Sequence, residues 1–490
     1  MEQPAGGRRP RLVSSLAFGQ RAWEVTLEWE PGLLSWRDPQ PPRGRDGDIS
    51  ISRTISTSVT SGNYFVPASE IIVVEETEID EKQCSSGKWQ KMGKPHAFTV
   101  YYMKRAQKHR WRCSEVTFSC VDEQLCNQWI QALKELLELQ KSRPKQLLVY
   151  INPYGGKRQG KRIYEQKVAP LFSLASISTD VISSTDCICY ATVGVTDPVT
   201  SALHIIVGDS QPLDVSSIHH NNTFLKYFVS LLGYGFYGDI LKDSEKKRWM
   251  GTIRYDFSGF KTFLSHHYYE GTVSFLPAKQ TLGSPRDKKK CRTGCYICRQ
   301  SKQQPEEQQK NYGLEHNEDE GGEDWKVIKG KFLAINAVNM SCACPRSPKG
   351  LSPAAHLADG SIDLILVRKC SRFNFLRYLV RHTNQDDQFD FTFVEVYRVK
   401  KFQFTSKHLE DSVIDVKDVG KKRFGQFCRD HPACCCNLSN SIWNCDGETL
   451  DSSTIEVRVH CQLMKLFARG IEENSNDEAI YNQSTAEQLL

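Results

Sequence analysis

The stretch QLLVYINP, residues 146–153, constrains this chain more than any other. Its unbroken apolar run is that of a strand buried on both faces, and such strands belong to parallel sheets covered by helices. The run breaks on Asn152 and Pro153, turns through Gly155 and Gly156, and from Lys161 to Ser176 takes on helical spacing. A strand, a tight turn and a helix start bring backbone N–H groups toward one point, where an anion would sit. The turn lacks the Gly-Lys-Ser/Thr of a Walker A loop. On motif evidence alone a plain strand–turn–helix connection is as good a reading. A parallel sheet also needs partners, yet only STDVI, residues 178–182, follows as a strand, and it runs directly into SSTDCICY.

Ahead of this segment, residues 1–20 read as unstructured. RAWEVTLEWEPGLLSW then alternates apolar and polar residues around Pro31 and Gly32, which is a hairpin signal. Similar runs follow at SEIIVVEETE, HAFTVYYMKRA and SEVTFSC. From Val121 to Leu139 the period changes, with Leu125, Trp129, Leu133 and Leu136 on one helical face and Asp122 placed to cap the start. Antiparallel strands closed by one amphipathic helix resemble a pleckstrin-homology domain over 21–142; the alternative is a small β-barrel used for protein contacts. Lys88, Lys91, Lys94, Lys104, Arg105, Lys108 and Arg110 crowd its loops. Such clusters attract anionic membrane lipids, phosphoinositides among them.

Downstream, LKYFVSLLGYGF, GTVSFLP, KFLAINA, DLILVRK, FTFVEVYRVKKFQF and TIEVRVHCQL read as strands of an extensive antiparallel sheet assembly. Residues 299–325 are polar enough for a disordered insertion, and 473–490 for a disordered tail. No internal repeat is present. The 64 Lys and Arg against 58 Asp and Glu leave +6, a mild basicity compatible with membrane surfaces or phosphate and making no case for nucleic acid. No run approaches the ~20 apolar residues of a bilayer span, and MEQPAGGRRPRL has no apolar signal region. The expectation is a protein made in the cytosol, whose 18 cysteines are free thiols or metal ligands rather than disulfides.

Five ordered motifs, INPYGGKRQG, STDCICY, GYGFYGDILKDSEKKRW, DGSIDL and DGE, resemble those of the diacylglycerol and sphingosine kinase family. The pleckstrin-homology-like start, CRTGCYIC and FLSHHYYEGTVSFLP narrow the resemblance to its ceramide kinase branch. It covers Ala22 to Glu472 and implies a multidomain α+β chain. The expected parts are a pleckstrin-homology-like β-barrel with a C-terminal helix, an α/β nucleotide domain over 145–202 with a return segment at 441–472, and an antiparallel β-sandwich lipid domain over 203–440. The resemblance further implies transfer of phosphate from ATP, with Mg²⁺, to ceramide. It also implies residence in the cytoplasm and, peripherally, at Golgi and plasma membranes. Carried over residue by residue, Asn152, Gly155, Gly156 and Lys157 belong to the phosphate loop, with Thr185 and Asp186 in the next turn. Asp446 and Glu448 return to the nucleotide or its metal, and Asp239 meets the lipid head group. Asp359 and Asp363 sit in an Asp-Gly motif whose plainer reading is a turn cap.

Two departures from the family pattern matter. Arg158 replaces the last glycine of Gly-Gly-Lys-Gly, adding a long side chain near the phosphates. Between Ile182 and Ser184, family members insert about two strand–helix passes, on the order of 60 residues. That block holds the Gly-Gly-Asp-Gly loop and the presumed base, so the nucleotide domain is truncated and Asp186 is left as a weak substitute. The alternative function is a catalytically impaired lipid-binding or regulatory protein. Separately, Cys291, Cys295 and Cys298 are spaced for a zinc site with a fourth ligand from Cys342, Cys344 or Cys434 to Cys436, against reduced structural thiols. Residues 371–389 begin SRFNFLRYLVRH, mixing large apolar with basic residues as Ca²⁺–calmodulin targets do, against an ordinary solvent-facing edge.

Overall fold

The computed structural model describes residues 11–19, 21–38, 63–78, 96–151, 159–184, 192–251, 253–278, 284–287, 290–301, 324–344, 347–384, 386–407, 440–452 and 454–472. The chain divides into two compact units, one of residues 1–153, 158–184 and 195–209 and the other of the remainder.

The first unit opens with β1 (Leu12–Phe18), β2 (Arg21–Glu28), β3 (Leu33–Arg37), β4 (Asn63–Pro67), β5 (Ile71–Glu78), β6 (His96–Arg105) and β7 (Trp111–Cys120), then α1 (Glu123–Glu138). The strands form one antiparallel sheet in the order β4-β3-β2-β1-β7-β6-β5. Asp122 caps α1 by accepting the N–H of Leu125 at 2.7 Å. Trp129, Leu133 and Leu136 pack into one core with Leu16, Val25, Leu34, Phe98 and Phe118, so the sheet curls around the helix. This is the expected pleckstrin-homology-like arrangement, seven curled strands with the C-terminal helix α1 over the core; among the described residues no ladder joins β4 to β5. The stretch 1–20 needs correction: β1 pairs along its length with β2, touches β7, and buries Leu16. A seven-residue strand with three serine or alanine positions carries little local signal; two neighbours supply what the alternation lacks.

Next come β8 (Gln146–Ile151), α2 (Gly160–Ile163), a π-helical turn over Tyr164–Val168, α3 (Ala169–Leu174), β9 (Ser178–Ser184) and α4 (Pro198–Val207). β8 and β9 pair in parallel from Gln146 opposite Ser178, and no third strand joins them among the described residues. Phe172, Ile177, Leu203, Ile206 and Val207 share a core with Ile72, Met103 and Trp111. Ile71 faces the α1 core while its neighbour Ile72 faces this one, as strand alternation requires. The Trp111 ring lies 3.7 Å from His204, Arg112 pairs with Asp197 at 2.8 Å, and the Trp111 N–H donates to Thr200. Arg143 donates to the carbonyls of Ala68, Ser69, Ile71 and Ile72. Residues 145–202 are thus no independent domain. A two-stranded parallel sheet cannot cover its own apolar faces, and it completes its core on the far side of β5 to β7.

The second unit comprises β10 (Ser210–His220), β11 (Thr223–Phe228), β12 (Leu231–Gly235), α5 (Phe236–Glu245), α6 (Ile253–Ser265), β13 (Tyr269–Pro277), α7 (Tyr296–Ser301), β14 (Lys326–Val338), β15 (Ile362–Arg368), α8 (Arg372–Arg381), β16 (Val394–Ser406), β17 (Trp443–Cys445), β18 (Glu448–Leu450) and β19 (Thr454–Phe467). Its ten strands form one antiparallel sheet. β14 pairs β13 along its first half and β15 along its second; β16 pairs β15 and then β13, so the ladder closes a circuit. The expected antiparallel lipid-domain sheets are present, joined in one hydrogen-bonded ladder because these long strands pass from one neighbour to the next. Ile362, Leu364 and Leu366 face one core with Phe275, Phe402 and Trp443, while Ile365 and Val367 face Phe236, Phe375 and Tyr378 of α5 and α8. Two boundaries shift. The return segment 441–472 is not part of the nucleotide domain, since β17 pairs β12 and β19 pairs β10 and β16. Residues 299–301 of the polar insertion end α7; 302–323 and the tail 473–490 lie outside the described residues.

Candidate functional site

Gly235 ends β12 with φ +74, and a Cβ there would stand 2.5 Å from the Leu333 carbonyl oxygen, so glycine is required for the chain to turn straight into α5. Gly238 meets the segment before β17 so closely that a Cβ would lie 1.9 Å from the Ile442 oxygen. This approach seats Asp239, in the first turn of α5, where the helix dipole favours a carboxylate. Tyr269 donates its hydroxyl to one carboxylate oxygen at 2.6 Å, and Ser441 donates to the other at 2.7 Å. Ser441 is itself held by its backbone N–H on the Tyr234 hydroxyl and by the Gly235 N–H on its Oγ. Burial pushes the Asp239 carboxyl up from its ordinary value, against the Tyr269 and Ser441 hydrogen bonds and the charges of His267 and Lys242. Half-buried and holding only two donors, the carboxylate has lone pairs left for an N–H or O–H of a ligand. Sequence reasoning found Asp239 and missed Tyr269 and Ser441, which lie 30 and 202 residues away.

The other expected residues are distributed differently. Asn152, Gly155, Gly156, Lys157, Arg158, Thr185 and Asp186 lie outside the described residues. Asp446 accepts the backbone N–H groups of Val229, Ser230 and Leu231 at 2.6, 3.0 and 2.7 Å, which shapes the turn between β11 and β12. Glu448 pairs with Lys226 at the surface. Asp363 accepts from Arg398 at 2.9 Å and from Ser352 at 2.6 Å, with Asp359 at 4.0 Å from the same guanidinium. All three charged side chains are buried, and Asp359 also accepts the N–H and the hydroxyl of Ser361, so the Asp-Gly motif caps its turn as expected and in addition anchors a loop by an ion cluster.

Three or more potential metal-ligating side chains come together, among the described residues, at Cys291, Cys295, Cys298 and His356. Cys342 turns instead to Ser230, and Cys344 closes a small bridge with Ser347; Cys434 to Cys436 lie outside the described residues. In the segment read as a calmodulin target, Phe375 and Tyr378 of α8 are buried, while Phe373, Leu376 and Val380 are exposed. Of the basic cluster in the first unit, Lys88, Lys91 and Lys94 lie outside the described residues. Arg105 makes a two-pronged pair with Glu70, and Lys104, Lys108 and Arg110 are exposed around the β6–β7 turn. No described helix is long and apolar enough to cross a membrane.

Two family models match, the ceramide kinase PH domain over residues 12–133 and the ceramide kinase C-terminal domain over 228–482. The first begins at Leu12, where β1 begins. The ceramide kinase of Homo sapiens is 58% identical over 548 residues, covering 97% of this chain and 99% of that protein. The ceramide kinase of Mus musculus is 55% identical over 544 residues, covering 96% and 100%. Among solved structures, a diacylglycerol kinase from Bacillus anthracis str. Sterne is similar at a TM-score of 0.31 and 10% identity, covering 66% of this chain and 76% of that one. That likeness is too slight to carry weight.

Proposed function

The chain belongs to the ceramide kinase family, and from that premise we propose that it is a lipid kinase giving ceramide 1-phosphate at a membrane face. The γ-phosphoryl group of ATP is transferred to the primary hydroxyl of ceramide: an O–P bond forms, the bond to the ADP oxygen breaks, and the hydroxyl proton passes to a base. Family membership implies ATP and a divalent cation, and Mg²⁺ is the ion proposed, to neutralise charge on the phosphates. The pair Asp446 and Glu448 does not fit a metal, one being taken up by three amides and the other by Lys226. The phosphate loop is proposed to be Asn152, Gly155, Gly156 and Lys157, with Thr185 and Asp186 beside it.

The observation that carries the lipid assignment is the Asp239 carboxylate, fixed by Tyr269 and Ser441 with acceptor capacity to spare. A ceramide head group offers hydroxyl and amide donors and no charge, and a half-buried carboxylate discriminates for such donors. Replacing Asp239 with Asn, which keeps the shape and removes the charge, is expected to weaken ceramide binding about tenfold, the worth of one charge-assisted hydrogen bond. Ceramide binding should also fall on acidification. The raised carboxyl is protonated at a higher pH than an ordinary aspartate and then loses an acceptor. Equilibrium binding to ceramide-doped vesicles across pH measures both; unchanged affinity in Asp239→Asn would remove Asp239 from the lipid site.

Membrane association is assigned to the first unit, with Lys104, Lys108 and Arg110 facing phosphoinositide head groups. Each such residue near the surface contributes about 1 kcal/mol, so Lys108→Ala and Arg110→Ala should each weaken partition into phosphoinositide vesicles about fivefold at low salt. Binding indifferent to both changes and to salt would mean these are ordinary solvated side chains. Regulation by Ca²⁺–calmodulin would use the exposed i, i+3, i+7 face of α8, Phe373, Leu376 and Val380, flanked by Arg372 and Arg377. Phe373→Ala should lower Ca²⁺-dependent calmodulin capture several-fold by titration. Equal capture by Phe373→Ala and the unaltered chain would favour the plain solvent-facing reading.

A second reading, a catalytically impaired lipid-binding or regulatory protein, is favoured by one observation: among the described residues the parallel sheet has two strands. Ceramide binding without ATP-dependent phosphorylation is the outcome that reading requires.

A further inference from the structure

Cys291, Cys295 and Cys298 stand on a short segment that turns through Gly294, at φ +68, into α7. His356 comes from the distant loop ahead of β15. The four ligand atoms lie within 4.8 Å of one another. Cys291 Sγ and Cys298 Sγ are 3.7 Å apart, and Cys295 Sγ is 3.3 Å from His356 Nδ1. Two sulfurs bound ~2.3 Å from a tetrahedral zinc ion lie roughly 3.8 Å apart, and a sulfur and an imidazole nitrogen roughly 3.5 Å apart. The observed separations are close to edges of that tetrahedron, and the two sulfurs are far outside the ~2.05 Å of a disulfide.

The surroundings are those of a closed structural site. Cys298 and His356 are buried, Leu213, Met340, Leu357 and Ala358 pack around the cluster, and all four protein positions are filled, leaving none for substrate. The backbone on both sides is tied to one place. Gln462 donates through Nε2 to the carbonyls of Cys298 and Ala358, and Ser301 donates to the Asp359 carbonyl. Asp214 receives the N–H groups of Gly360 and Gln462. The Thr293 N–H and hydroxyl reach the carbonyls of Ile471 and Arg469 beyond β19. Residues 290–301, which lead directly into the polar insertion, carry only a six-residue helix, so a cross-link to the 351–361 loop would add to these contacts in holding them.

We propose that Cys291, Cys295, Cys298 and His356 bind one Zn²⁺ ion through three Sγ atoms and Nδ1, and that the ion staples segment 290–301 to the loop carrying His356. Binding displaces the three thiol protons and leaves the imidazole neutral, so it weakens as pH falls. The site is structural and takes no part in the phosphoryl transfer.

The test uses the full chain, purified without chelator and without added zinc. Metal analysis should find about one zinc per chain, the stoichiometry of a four-ligand site. A mercurial thiol reagent should release it in the presence of a zinc-sensitive dye. His356→Ala should lose zinc to a competing chelator at least tenfold more readily than the unaltered chain, whereas His356→Cys, which restores four ligands, should retain it. In Co²⁺-loaded protein the thiolate-to-metal absorption should be stronger in His356→Cys than in the unaltered chain. Stripping zinc from the unaltered chain should expose residues 290–301 to limited proteolysis while the core of the sheet stays protected. The proposal is overturned by less than a tenth of an equivalent of zinc in folded protein. It is also overturned by His356→Ala holding zinc as tightly as the unaltered chain, by a disulfide between Cys291 and Cys298 in freshly prepared protein, or by unchanged proteolysis after stripping.

Discussion

Ceramide phosphorylation by this chain is expected to run at least about a hundredfold slower than by a version carrying the family's missing block after Ile182. The alignment with the human relative spans 548 residues although this chain has 490, so the relative carries residues with no counterpart here, in keeping with the ~60 of two strand–helix passes. The matched family models flank residues 134–227, where the block would fall. Loss of one positioned hydrogen-bond donor or base costs about 10² or more in rate, and the block holds several. In this chain β8 and β9 pair alone among the described residues and complete their core against β5 to β7. The measurement is transfer of labelled γ-phosphate to ceramide by the two purified proteins. Similar turnover would show that the base lies elsewhere, with Asp186 the first residue to replace.

Arg398→Ala is expected to destabilise the second unit by about 3–5 kcal/mol, the cost of leaving a buried carboxylate without its partner. The guanidinium donates to Asp363 through Nε at 2.9 Å and to the Ala354 carbonyl at 2.9 Å, and Asp359 stands at 4.0 Å. Asp359 is already pushed up by burial, held back chiefly by the charge of Arg398. Removing that charge leaves two carboxyl groups in a low-dielectric loop, and one of them takes up a proton. Stability of the variant should therefore recover partly as pH falls, because folding then binds a proton that the unfolded chain releases at ordinary carboxyl pH. Replacing Arg398 and Asp363 together should cost less than the sum of the single changes. Urea unfolding midpoints for the four proteins measure this; strict additivity would mean the cluster is not coupled.

What could be read along the chain was whatever depends on neighbours in sequence. Alternation placed the strands from β5 to β7, β-branched and aromatic runs placed β12 to β16, the 3.6-residue spacing placed α1 with its Asp122 cap, and the unbroken run at 146–151 placed β8 but not its burial, since Leu148 is exposed. Motifs singled out Asp239, the three cysteines and the truncation after Ile182. These are local because strand and helix periods are properties of the backbone.

Partner choice across long separations was decided only by the tertiary structure. Ser441 reaches Asp239 across 202 residues and His356 reaches Cys295 across 61, and neither distance leaves a spacing to read. Three backbone amides take up Asp446, an arginine 35 residues away makes Asp363 half of a buried ion pair, and the remnant of the parallel sheet builds its core on the face of β5 to β7 turned away from α1. In each case a buried polar or apolar group must be satisfied by whatever the fold brings beside it, and that depends on how the sheets curl, which no local period records.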